Sequence, residues 1–452
     1  MLRSCVIRTV YYSRGAGLAK IDVAQYCRAS GIAGRFIYFL IVLLVAGACQ
    51  APSNQKPGPP ASPPVLDRSS SAADGRAYKI GALLPLTGPM AAYGREVLQG
   101  VELAVGQASK EAGQASVQVI VRDAAMNGTT PIQDHLSALL HDAHPLAVIG
   151  PLVSQQVEAV AAVSDEAKIP LITPTATLPD VRRLSPYLFS TGLTYSLQAE
   201  QITTYAMGRL GYRRFAVIHP DSGYGRQLAH FFAEEVRRRG GEIVDMESYA
   251  PEETDFAKQV TRLKSAAWRR IQPDDRSGQA FTSGRPQEQK KYRTPSRRSL
   301  DAIYLPGGFR EATMIAAQLR FQDVKVRLLG SNAWHSSDLA HFPDKSIQGG
   351  VFTDNFFAES RASAVREFVV AYRIRYHTEP TMFAAQGYEA TQVILAGIRE
   401  GVTSGKRLRS YLEQADTLPT LLGPTSFNDK GVLNRTLLLI QVGEKGRLEQ
   451  VR

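Results

Sequence analysis

Lys79-Ile-Gly-Ala-Leu-Leu-Pro-Leu-Thr-Gly-Pro-Met-Ala-Ala-Tyr-Gly-Arg-Glu-Val-Leu-Gln-Gly-Val-Glu-Leu-Ala-Val105 decides how the rest of the chain is read. Ile80 to Leu84 form a short apolar run, the pattern of a parallel strand covered on both faces. Pro85, Gly88 and Pro89 end it, and helical spacing resumes at Val97, Val101, Leu103 and Ala104. The loop between them carries Thr87 and Tyr93 at the carboxyl end of a strand, where open α/β sheets bind their ligands.

Downstream the same alternation continues. Val117–Val121, Leu146–Gly150, Ile169–Thr173, Arg214–His219 and Ile243–Tyr249 read as strands. Pro131–Leu140, Ser154–Ala167, Gln198–Leu210 and Gly225–Arg239 read as helices between them. Such alternation predicts a doubly wound parallel sheet. It restarts after Tyr187–Thr194, which reads as a crossing strand. Two Rossmann-like lobes with parallel sheets fit this better than one sheet of a dozen strands.

The chain carries a formal net charge of +11, which raises the question of nucleic acid. Residues 1–48 hold six Lys/Arg against Asp22 alone, and residues 265–299 hold nine against Asp274, Asp275 and Glu288. Those two stretches account for the whole excess. The remaining body is close to neutral, so no basic face points to nucleic acid. Residues 265–299 are polar and rich in Gly, Ser and Pro. They read as a basic, disordered insertion, or as an arm for an acidic surface such as lipid headgroups.

The N-terminus reads as a targeting segment. Arg35 precedes the apolar run Phe36–Ala46, short for a membrane span and the right length for a signal-peptide core. Val45-Ala46-Gly47-Ala48-Cys49 resembles the lipobox of bacterial lipoproteins, in which the cysteine thiol accepts the lipid. Residues 1–48 are thus expected to be a signal peptide and Cys49 the lipidation site. Gln50 after the cysteine is compatible with sorting to the outer membrane. The other cysteines, Cys5 and Cys27, lie before Cys49, so the mature chain has no disulfide or cysteine metal site. Residues 49–77, with Pro57-Gly-Pro-Pro60 and Ser62-Pro-Pro64, read as a tether.

Catalysis finds no support. The eight histidines show no metal-ligand spacing, and there is no Gly-x-Ser-x-Gly elbow or phosphate-cradling loop. Neither a catalytic residue nor a cofactor is expected. Binding residues, by contrast, gather at strand ends. Ser154 opens a helix, where its hydroxyl and the free amides suit an anion. Ala176 and Thr177 follow the next strand, offering a carbonyl, a hydroxyl and an amide. Tyr224 stands at the head of a helix in Asp221-Ser-Gly-Tyr-Gly225. Capping or turn chemistry explains each alone, but not their recurrence at successive strand ends.

These motifs, over nearly all of 78–452, resemble type 1 periplasmic solute-binding proteins of the leucine/isoleucine/valine-binding family. The resemblance implies three crossings between lobes, near residues 194, 353 and 431. Lobe one would hold 78–194 plus 354–430, and lobe two 195–353 plus 431–452. It further implies that Ser154, Ala176 and Thr177 hold the head group of a small ligand such as an amino acid, while Tyr93 and Tyr224 form aromatic walls. Thr254-Asp-Phe256 before a helix is another of the family's signatures, read as structural. Two positions depart from the pattern. Asn332 stands where the second lobe's acidic partner for a ligand ammonium is expected, and Pro306-Gly-Gly-Phe309 replaces aromatic residues. Trp334 and Phe309 either line a different pocket or pack in the core. The implied partners are a small ligand and a membrane permease of the ABC type. Leu328–His335, Gly350–Ala358 and the lipobox also resemble penicillin-binding protein activators, which would make the partner a peptidoglycan synthase.

Overall fold

A computed structural model describes residues 9–13, 18–22, 77–110, 116–125, 130–269, 300–336, 338–339 and 345–451. The expected signal-peptide core, Cys49, the tether up to residue 76 and insertion residues 270–299 lie outside the described residues. Residues 1–64 and 65–452 form separate units. In the first, β1 (Thr9–Ser13) pairs antiparallel with β2 (Leu18–Asp22).

The second unit is α/β and is built on two sheets. The first has the order β4-β3-β5-β6-β7 and is parallel throughout. Its strands are β3 (Tyr78–Leu84), β4 (Val117–Asp123), β5 (Ala147–Ile149), β6 (Leu171–Thr173) and β7 (Leu188–Ser190). Ile80 sits between Val119 and Ala147, and Ile80, Ala82, Leu83 and Leu84 are fully buried. The apolar run Ile80–Leu84 is therefore the covered centre of this sheet.

Helix α1 (Ala91–Ala108) begins six residues before Val97, so Tyr93 belongs to its first turn and not to a loop. Gly88 takes the left-handed backbone (φ 76°) that lets the chain turn from strand to helix. Helices α2 (Ile132–Ala143) and α3 (Ser154–Ala167) cover the other side. The sheet is completed from far along the chain by α8 (Ser363–Tyr376), α9 (Met382–Arg399) and α10 (Gly405–Gln414). Helices α1 and α9 touch backbone to backbone. A Cβ on Gly100 would lie 1.9 Å from the Ala384 oxygen, and one on Gly387 would lie 2.2 Å from the Val97 oxygen. Only glycine allows this approach.

The second sheet runs β14-β13-β12-β11-β10-β8-β9. Its parallel core is β8 (Arg214–Pro220), β9 (Glu242–Tyr249), β10 (Ala302–Leu305), β11 (Arg327–Gly330) and β12 (Val351–Asp354). Two strands near the C-terminus, β13 (Leu438–Val442) and β14 (Leu448–Gln450), add antiparallel at the edge. The helices here are α4 (Tyr195–Thr203), α5 (Gly223–Arg238), α6 (Ala257–Arg269) and α7 (Phe309–Phe321).

The expected helix 198–210 divides in two. Its second half, Thr204–Arg209, is wound as a π-helix, with the Leu210 amide donating to Tyr205 O. The crossing strand expected at Tyr187–Thr194 is mostly not a crossing. Leu188–Ser190 is the edge strand of the first sheet, parallel to β6, and only the residues after it leave the sheet. Trp334 and Phe309 are core residues. Trp334 is fully buried with Nε1 donating to Leu305 O, 3.0 Å away, and Phe309 packs in the same cluster. Phe256, just before α6, is buried there too.

Strand β7 and the segment before β13 run side by side. The Ser190 amide donates to Gly431 O and the Leu433 amide to Ser190 O. Arg435 pins them to α9. Its guanidinium reaches Glu389 at 2.9 Å and Thr191 O at 3.0 Å, while the second Glu389 oxygen accepts from the Leu421 amide. Both side chains are nearly inaccessible, Arg435 at 3% and Glu389 at 2%. Burial in low dielectric makes each dependent on the other.

Candidate ligand-binding cleft

On the first sheet the strand ends carry hydroxyls that are already organised. Thr87 Oγ1 donates to Asp123 Oδ2 at 2.6 Å, and Asp123 Oδ1 accepts from the Leu86 amide, which ties the ends of β3 and β4 together. Thr173 and Thr175 donate to Pro151 O and Leu152 O, fixing the loop after β6 against the loop after β5.

Ser154 and Thr177 meet on top of this frame. The Thr177 amide donates to Ser154 Oγ at 3.3 Å, and the two hydroxyl oxygens are 3.5 Å apart. Ser154 is the first residue of α3, and no side chain caps that helix. Its first amides therefore present partial positive charge beside two hydroxyls, an arrangement suited to a carboxylate.

Ala176 precedes Thr177 in the same loop. It is 1% exposed, and its carbonyl accepts from Ser190 Oγ at 3.4 Å and faces Gly192. The carbonyl is thus committed to the chain leaving β7. Its amide donates to Thr173 Oγ1, so both backbone polar groups of Ala176 have partners within the protein.

On the second sheet Tyr224 and Asn332 are in direct contact. Tyr224 lies in the first turn of α5, whose N-cap Ser222 accepts from the Gly225 amide. Its hydroxyl is 2.9 Å from both Asn332 Oδ1 and Ser331 Oγ. Burial pushes the Tyr224 hydroxyl well above the usual phenol range, so it is a neutral hydrogen-bonding group. Tyr195 packs edge-on against its ring at 5.7 Å. The Asn332 backbone amide donates to Gln198 Oε1, which anchors the short 3₁₀ turn Asn332–Trp334 to α4. His335 closes the turn, 2.6 Å from the fully buried Asp354 at the end of β12. Burial disfavours the charged ring, but the hydrogen bond and charge of Asp354 outweigh it and raise the His335 pKa above the ordinary histidine value.

Tyr93 does not face Tyr224 ring to ring. It is 40% exposed and tilts against Phe383 with centroids 4.7 Å apart. The neighbouring Met382 then reaches the other lobe, its Sδ 3.9 Å from Asn332 Nδ2. Thr381 caps α9 and donates to Glu96 Oε2 at 2.8 Å, which locks the start of α9 to α1. Tyr93, Phe383, Met382, Asn332 and Tyr224 therefore form one continuous line from the first sheet's helices to the second's. The chain offered no local motif for Met382 and Phe383, and only the packing of α9 on α1 brings them here.

Among the described residues no group of three or more His, Cys, Asp or Glu is placed to hold a metal ion, and no helix is long and apolar enough to cross a membrane.

Comparison with known proteins bears on the family and the fold. The sequence profile of the periplasmic binding protein family matches residues 77–447. The Leu/Ile/Val-binding protein homolog 3 of Brucella melitensis is 26% identical over 360 residues, which cover 78% of this chain and 88% of that protein. Among solved structures, a putative branched-chain amino acid ABC transporter from Rhodospirillum rubrum superposes with a TM-score of 0.69 at 24% identity, covering 83% of this chain and 100% of that one. A solute-binding protein of an ABC transporter from Rhodopseudomonas palustris BisB5, in complex with 3,4-dihydroxybenzoic acid, superposes with a TM-score of 0.60 at 19% identity. That match covers 83% of this chain and 96% of the other.

Proposed function

The chain belongs to the periplasmic binding protein family, and on that premise we propose that it is the solute-binding component of an ABC-type uptake system, holding a small carboxylate-bearing ligand such as an amino acid between its two lobes. Members of this family are binding proteins, not enzymes, so the relevant chemistry is recognition. The observation that carries the reading is the pairing of Ser154 and Thr177 at the uncapped start of α3. The ligand carboxylate would take hydrogen bonds from Ser154 Oγ, from the amide and hydroxyl of Thr177 and from the first amides of α3. Tyr93 and Phe383 would cover its apolar part from lobe one, and Tyr224 and Asn332 would meet it from lobe two.

Closure follows from this division. A ligand that gains contacts from the second lobe only when the lobes approach stabilises the closed state by that difference, and the crossing segments absorb the rotation. The closed form would then dock on a membrane permease. Lipidation of Cys49, with the Pro-rich tether beyond it, would keep the protein at the outer membrane or on the inner one that holds the permease.

The rival reading, regulation of a peptidoglycan synthase in the manner of penicillin-binding protein activators, draws on Leu328–His335 and Gly350–Ala358, and Asn332 in place of an acid favours it. Yet Trp334, Phe352, Phe356 and Phe357 in those segments are all buried, so they offer a synthase no surface.

A thermal-shift screen of the protein with branched-chain amino acids and small carboxylates tests the proposal. Stabilisation by at least one ligand is expected, weakened about ten- to a hundred-fold in affinity by Ser154→Ala, which removes a hydrogen bond to a charged group. If no small carboxylate shifts the wild-type protein, while a synthase is recovered with it from membranes, the transport reading fails and the rival one stands.

A further inference from the structure

Around Asn332, lobe two presents the Asn332 side-chain amide and the hydroxyls of Tyr224 and Ser331. Asn332 has only one free direction. Its Oδ1 is taken by the Tyr224 hydroxyl and its backbone amide by Gln198, so the Nδ2 amide is the end left pointing at lobe one, where it touches the weak acceptor Met382 Sδ. The surrounding hydroxyls, Tyr224 and Ser331, bond to each other.

Four carboxylates on the elements around Asn332 and Tyr93 already have partners. Asp354 accepts from His335 and from the amides of Asn355 and Phe356, and Asp221 pairs with Arg226. On lobe one Glu96 accepts from Thr381, and Asp123 accepts from Thr87 and the Leu86 amide. Thr191 Oγ1, Asn355 Oδ1 and Gln386 Oε1 are buried without a partner among the described residues, and all three are uncharged. A ligand ammonium enclosed against Asn332 would lose its hydration and gain no opposite charge from that side chain. A keto or hydroxyl oxygen at the same place would instead accept from Asn332 Nδ2.

We propose that the cleft selects carboxylates lacking an α-ammonium group, with a hydrogen-bond acceptor in its place and an apolar body against Tyr93, Phe383 and Met382. Ser154 and Thr177 hold the carboxylate, as in the function proposed above, on which this inference rests. Asn332 acts as the discriminating residue: an amide donor there accepts an oxo acid, and a carboxylate there would accept an amino acid.

L-Leucine and 4-methyl-2-oxopentanoate share a skeleton and differ only in ammonium against keto oxygen, so calorimetric titration of the protein with each reads the selection directly. The oxo acid is expected to bind at least about ten-fold more tightly, because a site built around one hydrogen-bonding polarity rejects the other. Asn332→Asp should reverse the order, and Asn332→Ala should weaken the oxo acid without improving leucine. The wild-type pair alone is decisive should a variant fold poorly. Leucine binding as tightly as the oxo acid, or more so, overturns the inference and leaves the proposed function standing. Binding of neither ligand to the folded protein overturns the inference, and extending that result to the whole carboxylate panel removes the proposed function as well.

Discussion

Replacing Glu389 by glutamine should cost the protein about 3–5 kcal/mol of stability, the range for stripping one partner from a buried ion pair. The structure locates the cost. Arg435 is 3% exposed, and its guanidinium has Glu389 at 2.9 Å and a single carbonyl, Thr191 O, at 3.0 Å. Without the carboxylate, a buried cation keeps one neutral acceptor, and its Nε already lacks a partner among the described residues. The amide oxygen introduced by Glu389→Gln would still accept from the Leu421 amide, so the loss reports the charge and not that bond. Arg435→Met should cost a similar amount by stranding the Glu389 carboxylate. The double variant Glu389→Leu/Arg435→Met should recover most of it, since two apolar side chains need no compensation. Urea unfolding followed by the fluorescence of buried Trp334 measures each variant as a midpoint shift at constant slope. A loss under about 1 kcal/mol for Glu389→Gln, or additive losses in the double variant, would refute the claim that this pair holds the crossing segments to α9.

Other expectations are equally specific. Gly100→Ala places a methyl 1.9 Å from Ala384 O and should cost about 1–3 kcal/mol or more, whereas Gly208→Ala, with nothing within 4 Å, should be neutral or slightly stabilising; urea midpoints distinguish them. The folded His335 pKa is raised by Asp354, so the histidine's contribution to stability is complete below its unfolded value of about 6.5 and is lost as pH rises through the raised folded value. Wild-type stability relative to His335→Gln should accordingly fall between acidic and mildly alkaline pH, and a difference constant across that window would contradict the pairing. Tyr224→Phe removes the hydroxyl that orients Asn332 and should weaken ligand affinity by about five- to ten-fold in titration calorimetry while leaving the lobe-two core packed.

Much of the fold was legible because strand and helix periods are local. Ile80–Leu84 and Ser154–Ala167 could be read nearly to the residue, the first as an unbroken apolar run and the second from a serine start. The start of α1 was not, since Pro85, Gly88 and Pro89 resemble a longer loop than the six residues in which the chain, with Gly88 in the left-handed region, passes from β3 to α1. The antiparallel edge β13-β14 and the π-turn at Thr204–Arg209 depend on tertiary packing that no period encodes. In the proposed site, Ser154, Thr177, Tyr224 and Asn332 were nameable from the sequence because strand ends and family motifs mark them. Phe383 and Gln198 were not, because each arrives through a contact more than a hundred residues away in sequence, and Met382 meets Asn332 across 50 residues. The Ala176 carbonyl shows the opposite limit: the segment was identified, but the direction of one peptide was fixed by Ser190 and Gly192.

The central claim is that one carboxylate is held between the two lobes. A crystal structure of the protein with the tightest-binding carboxylate of the screen tests it most directly. The account predicts the carboxylate within hydrogen-bonding distance, about 3 Å, of Ser154 Oγ and the Thr177 amide, with the far end of the ligand against Tyr224 and Asn332. A ligand bound outside this cleft, or a carboxylate turned towards Asn332 and away from Ser154, would contradict it.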